Sequence, residues 1–168
     1  KNILIHTIKC KDNDRIKNCM QISIEEILEN GTSGTLALID EEGLPYAVPL
    51  SYVYCGGKLY FHCAREGHKI DAIRANPAAS FCVIGQDQVV PQRYTTHYRS
   101  VVACGTIRIL EKEAQIDAAI RALGRRYAPN QTEEELQQEI DKSQGHFLIL
   151  ELTPERLTGK QCRELVVS

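Results

Sequence analysis

Three apolar runs, GTLALID (residues 34–40), PYAVPLSYVY (45–54) and KLYFHCA (58–64), follow one another with only the turn signals EEGLP and CGGK between them. Their β-branched and aromatic content marks strands, and the Gly, Pro and acidic residues mark the breaks. Breaks this short leave no room for the crossover of roughly a dozen residues that parallel neighbours need, so the runs predict an antiparallel meander. Further strands are expected at ASFCVIG (79–85), at the long β-branched YRSVVACGTIRIL (98–110) and at GHFLILELT (145–153). Gly105, in the middle of the second of these, suggests a bulge or bend of the kind barrels use.

Helical signals are few and lie between or after the strands. Ser23 with Glu26 forms a capping box opening SIEEILEN, which Gly31 ends. HKIDAIRAN (68–76) places Ile70, Ile73 and Arg74 at helical spacing and stops at Pro77. In EKEAQIDAAIRALGRRYAP (111–129), Ile116, Ala119, Ile120, Leu123 and Tyr127 form one apolar stripe under a charged face, and Thr132 with Glu135 opens another short helix. A run of strands with so few helices excludes a regular βαβ succession. The reading is mainly β (α+β): a small antiparallel barrel or highly curved sheet with peripheral helices. With 168 residues, 43% of them hydrophobic, the chain suits one domain spanning 1–168, in which the charged, aperiodic residues 1–22 are an extended or irregular lead-in.

Composition narrows the functional classes. A formal net charge of -2, from 20 basic and 22 acidic side chains, argues against a broad nucleic-acid surface. No apolar run approaches the roughly 20 residues needed to cross a bilayer, and no secretion signal is apparent, so a cytoplasmic protein without a membrane partner is expected. Seven cysteines, an odd number spread through apolar stretches, read as free core thiols. No C-x-x-C pair occurs and no metal site is expected. The Asn30 and Asn130 glycosylation triplets are chance matches in a chain without a secretion signal.

The polar residues gather in LYFHCAREGHKIDAIRANP (59–77), where a strand gives way to a helix beginning near His68. A helix N-terminus offers unpaired backbone N–H groups and partial positive charge, and so attracts phosphate. Arg65 and Lys69 add formal charge there, His68 adds donors, and Gly67 lets the backbone approach closely. Solvated charges flanking a turn explain the same residues equally well. His62 and His68 lack a third ligand at recognisable spacing, so they do not make a metal site. No G-x-G-x-x-G, Walker loop or G-x-S-x-G elbow is present, and Ser51, Ser80 and Ser100 all fall in strands. Cys63 beside His62 points to the opposite face of its strand, so the two cannot act together directly.

The segment YAVPLSYVYCGGKLYFHCAREGHKIDAIRANPAASFCVIG resembles the FMN-binding split β-barrel superfamily of pyridoxamine 5′-phosphate oxidase, nearest to its nitroimidazole-resistance (Nim) branch. CKDNDRI, YRSVVACGTIRIL and LTGKQ extend the likeness over nearly the whole chain, and the F-H-x-A-x-x-G-H-K run is its most specific part. The resemblance implies FMN at a homodimer interface. Val48, Pro49, Leu50, Ser51 and Tyr52 then correspond to the strand along the flavin ring. His62 and Cys63 occupy the family's aromatic-threonine pair, and Gly67, His68 and Lys69 its phosphate triplet, with Arg65 beside them. Only Lys69 is retained in that triplet; glycine and histidine replace serine and arginine. Ser100 falls near a position that reaches the flavin from another strand.

The chain has no tryptophan and ends GKQCRELVVS, without the arginine-proline signature of the oxidases, so vitamin B6 synthesis is disfavoured. The resemblance therefore implies an FMN-dependent oxidoreductase that reduces a small oxidised substrate such as a nitroaromatic, with His62 close to the flavin as substrate-positioning group or proton donor. The alternatives are a flavin- or haem-binding carrier or sensor without efficient turnover, with His62 or His68 as haem ligand, and a structural domain with an empty polar corner.

Overall fold

The computed structural model describes residues 23–165, so the predicted lead-in lies outside the described residues. The chain begins with helix α1 (Ile24–Asn30), then runs through β1 (Ser33–Ile39), β2 (Pro45–Ser51), β3 (Val53–Cys55) and β4 (Lys58–Ala64). Helix α2 (His68–Ala75) leads to β5 (Ala78–Val90) and β6 (Thr95–Ile109), followed by α3 (Glu113–Tyr127), α4 (Glu133–Ser143) and β7 (Phe147–Gln161). All strand pairs are antiparallel, in one seven-stranded sheet ordered β2-β1-β5-β6-β7-β4-β3. β2 also comes up against β4, so the sheet curls round on itself. This is the mainly β, antiparallel split-barrel architecture with peripheral helices. Among the described residues, no helix is long and apolar enough to cross a membrane.

The local signals act as expected. Both capping boxes form, Ser23 with Glu26 and Thr132 with Glu135, each pairing a hydroxyl with one backbone N–H and a carboxylate with another. Helix α2 starts at His68 behind Gly67. The pairing of β6 with β7 shifts register between Cys104 and Gly105, where the bulge was expected.

Four strands differ from the sequence reading. PYAVPLSYVY divides into β2 and β3 at Tyr52. The Tyr52 side chain is completely buried and its hydroxyl donates to the Leu28 carbonyl at 2.7 Å, while its backbone N–H donates to the Tyr127 hydroxyl at 2.9 Å. Those side-chain partners replace the ladder at that residue. β5 and β6 run on past the apolar stretches into a long hairpin turning at Pro91–Arg93, and β7 continues to Gln161. These arms are polar, so backbone pairing with a neighbouring strand carries them rather than apolar alternation.

Two apolar clusters form. The barrel interior holds Leu36, Leu38, Phe61, Phe81, Val101 and Ile107, closed at its ends by α1 and α2 residues such as Leu28 and Ile70. Tyr52, Phe61 and Phe81 meet edge to face with centroids 4.9–5.0 Å apart, a geometry worth about 0.5–1.5 kcal/mol per pair beyond the area it buries. The second cluster lies outside the barrel, where Ala119 and Leu123 of α3 pack on Val53 and Ile149.

Beside that outer cluster, Glu151 is only 3% exposed and its Oε1 takes Lys58 at 3.1 Å and Arg108 at 2.8 Å. Burial works to raise its carboxyl, but hydrogen bonds from Arg108 and Lys58 outweigh it and hold the group below the usual carboxylate range. The folded chain therefore binds fewer protons here than the unfolded one. The stability Glu151 contributes is present above the unfolded carboxylate range and is lost as pH falls toward the folded value. Urea midpoints followed from about pH 7 down to about pH 3 should drop less steeply in Glu151→Gln than in the parent; parallel profiles would overturn this assignment.

Candidate functional site

Strand β4 sorts its side chains by alternation. Leu59, Phe61 and Cys63 are buried, whereas His62 and Ala64 are exposed, so His62 stands on the outer face of the barrel. Cys63 points inward, where burial raises its thiol pKa and the positive charge of Lys69 works in the opposite direction. The side chains of this adjacent pair therefore face different media.

β2 alternates likewise. Tyr46, Val48 and Leu50 are half-buried against the core, and Ala47, Pro49 and Ser51 are exposed. Of the residues 48–52, only Pro49 and Ser51 present side chains outward, and Tyr52 is an anchoring core residue. Pro49 lies opposite Thr35 and Ala47 opposite Ala37, and Ala37 in turn lies opposite Ser80 of β5. The outer face of β2, β1 and β5 is thus a low relief of small side chains. Ile84 (65% exposed) of β5, Val89 (67%) and Tyr94 (91%) near the hairpin tip add exposed apolar area.

The turn between β4 and α2 collects the predicted polar group. Gly67 caps α2 at a φ of 119°, a backbone region that side chains with a Cβ rarely adopt, and a Cβ built there would meet nothing within 4 Å. Ile70 N–H already donates to the Gly67 carbonyl at 2.8 Å, so the backbone N–H groups of His68 and Lys69 are the ones this helix start offers to an anion. Lys69 is half-buried and forms no ion pair among the described residues. His68 is fixed from two sides: its Nε2 lies 3.6 Å from Asp40 Oδ2, and its ring meets the Tyr46 ring edge to face at 4.5 Å. Asp40 is itself held by the backbone N–H groups of Glu42 and Leu44 at 3.0 and 2.7 Å. Arg65 donates to the Gly145 carbonyl at 2.7 Å, tying this turn to the one before β7.

Gly67, His68, Lys69 and Arg65 thus share one corner beside the outward face that carries His62. Ser100 does not join them. It lies on β6, opposite Ile84 and Lys160, two strands from β4 and three from β2 in the sheet order, or roughly 10 and 14 Å at the usual strand spacing. Sequence reasoning missed Asp40, Tyr46 and Gly145. Only the EEGLP turn signal marked that region, and it gave no hint that the Asp40 carboxylate just before it faces a histidine from another element. Among the described residues, no three His, Cys, Asp or Glu side chains gather as a metal-binding group.

Comparison with known proteins places this geometry. A family model described as pyridoxamine 5′-phosphate oxidase matches residues 22–161. Among curated proteins no sequence matches the chain. Among solved structures, one described as a 5-nitroimidazole antibiotic resistance protein from Bacteroides thetaiotaomicron is 22% identical with a TM-score of 0.69, over 92% of this chain and 87% of that one. The FAD and haem binding protein of Mycobacterium smegmatis is 20% identical with a TM-score of 0.67, over 95% of this chain and 75% of that one. The haem storage protein of Vibrio cholerae is 17% identical with a TM-score of 0.64, over 84% of this chain and 95% of that one. At these identities the likeness is one of fold.

Proposed function

The chain belongs to the pyridoxamine 5′-phosphate oxidase family, and we propose that within it this protein is an FMN-dependent oxidoreductase that reduces a small oxidised substrate such as a nitroaromatic. The observation that carries the reading is the corner at Gly67–Lys69, where a helix N-terminus, a lysine without an ion pair among the described residues and an oriented histidine come together. Phosphate chemistry suits these donors: backbone N–H groups, an ammonium and an imidazole N–H together neutralise an anion without a metal. Asp40 occupies the Nε2 side of His68 and leaves Nδ1 for the phosphate.

The ring would lie along the outer face, against the backbone of Val48 and Leu50 and the side chains of Pro49 and Ser51. The small residues at Ala37 and Ala47 leave room for a flat group there. Cys63, with its thiol inside the barrel, would contribute through its backbone alone. His62 stands exposed on the same surface and would position substrate or donate a proton to it. Bound FMN would supply the electron transfer between a reduced donor and the substrate, and the protein its orientation. Because Ser100 sits well away from the corner within one protomer, it would reach a flavin from the second copy of a homodimer, whose contact face would include Ile84, Val89 and Tyr94.

A second reading, a haem or flavin carrier without efficient turnover, is favoured by the structural likeness to the FAD and haem binding and haem storage proteins. His62, which is exposed, would be the ligand in that case. The visible absorption spectrum of the purified protein, before and after incubation with FMN, separates the readings. Flavin bands with turnover of a nitroaromatic by a reduced donor are expected, flavin bands without turnover support the carrier, a Soret band supports haem, and a colourless protein that takes up no FMN overturns the main reading.

A further inference from the structure

His68 opens α2, and its ring is held by two other parts of the chain. Nε2 lies 3.6 Å from Oδ2 of Asp40, in the turn after β1, and the ring meets Tyr46 of β2 edge to face. The carboxylate is itself fixed. Its side chain is only 11% exposed, and its Oδ1 accepts from the backbone N–H groups of Glu42 and Leu44 at 3.0 and 2.7 Å. With Oδ1 occupied twice, Oδ2 is the oxygen left to face the histidine.

This arrangement gives the two ring nitrogens different tasks. The Asp40 carboxylate favours a proton on Nε2. A neutral imidazole carries a single N–H, so with its proton on Nε2 it turns a lone pair on Nδ1 toward an anion and opposes it. Only the imidazolium has an N–H on both sides, one for Asp40 and one for a phosphate. Without the second proton, the Asp40 charge would also oppose an incoming phosphate. The doubly protonated ring makes the two anions compatible.

We propose, on the flavin reading of this corner, that Asp40 is a positioning residue that holds His68 in its doubly protonated form, so that binding of the FMN phosphate is coupled to the charge of this one histidine. Tyr46 of β2, Glu41 and Glu42 beside Asp40, Arg65 and Glu66 before α2, Lys69 and Asp71 within it, and Cys63 of β4 are the other titratable groups along these elements. Carboxylates, ammonium and guanidinium groups keep their charge from about pH 6.5 to about pH 8.5, and phenols stay neutral. The Cys63 thiol is pushed up by burial, so it stays neutral as well. His62 of β4 and His146 beside Gly145 are imidazoles too, and a His68 variant separates His68 from them.

The test titrates the full chain with FMN, and with riboflavin as the ligand lacking phosphate, from about pH 6.5 to about pH 8.5. FMN affinity should fall by about tenfold as the pH rises, and riboflavin affinity should not. The second ionisation of a phosphate monoester, at about pH 6, acts in the opposite direction. His68→Arg, charged at every pH in this range, should flatten the FMN profile. Asp40→Asn keeps an oxygen for the Glu42 and Leu44 N–H groups and should move the fall to lower pH, whereas a merely structural role would weaken FMN equally at every pH. Ring nitrogen NMR spectra of the FMN complex, which need no Asp40 variant, should show both His68 nitrogens protonated at the low-pH end. A parent profile that does not fall, a fall that survives in His68→Arg, a uniform loss in Asp40→Asn, or a bare His68 nitrogen in the complex would each overturn the coupling while leaving the flavin reading intact. No FMN binding by the parent at any pH would overturn both.

Discussion

Lys69→Ala is expected to weaken FMN binding by about 10- to 150-fold, the equivalent of losing a charge-assisted contact worth about 1.5 to 3 kcal/mol. The expectation rests on three features of the corner. Lys69 is the second residue of α2, within the first turn where the N–H groups have no helical acceptor. It forms no ion pair among the described residues, so its charge is not already spent on a carboxylate. It is half-buried, which limits the solvent screening that makes surface charges weak. Arg65→Ala should have a smaller effect, because that guanidinium is occupied by the Gly145 carbonyl. Fluorescence titration of the apoprotein with FMN measures both. An affinity unchanged within about twofold in Lys69→Ala, with an unaltered unfolding curve, would place the phosphate elsewhere.

The parts of this molecule that could be read from the sequence are those set by neighbours along the chain. The two capping boxes need only a hydroxyl and a carboxylate three residues apart, and both form. Gly105 announced a break in β6 because a glycine amid β-branched residues has few other uses there, and the register shift falls on it. That His62 and Cys63 face opposite sides of β4 followed from alternation, and the structure puts Cys63 inside and His62 outside. What escaped was set across the fold. Tyr127 read as one more member of the α3 stripe, yet its hydroxyl accepts from Tyr52 N–H and lies within reach of the Thr32 and Tyr52 carbonyls, and so fixes where β2 ends. The hairpin arms of β5 and β6 carry polar residues on both faces, so no apolar period marked them. At the candidate site, the corner itself was visible as a turn with four polar or glycine positions, but Asp40 from the turn after β1 and Tyr46 from β2 approach His68 across the fold, which no local pattern encodes.

Gly105→Ala should be among the most destabilising single substitutions in the chain, lowering stability by at least about 3 kcal/mol and the unfolding temperature by about 6–12 °C for a chain of this size. An added Cβ would stand 2.0 Å from the Thr153 carbonyl oxygen and 2.9 Å from the Glu155 nitrogen. Both are backbone atoms, so no side-chain rotation can relieve the overlap, and the two strands must move apart where β6 and β7 already shift register. Gly67→Ala provides the contrast. Its Cβ meets open space, so only the cost of a positive φ remains, about 1–2 kcal/mol. The consequence of the first substitution extends to the candidate site, because the Phe147–Leu152 end of β7 pairs with β4 and supports the strand carrying His62. Displacing β7 at Pro154 should therefore reduce FMN affinity as well as thermal stability, whereas Gly67→Ala should alter FMN affinity with a smaller thermal loss, about 2–8 °C. A Gly105→Ala protein that unfolds within about 2 °C of the parent would mean that the bulge can open without cost, and that the separation of these two strands is not what holds β4 in place.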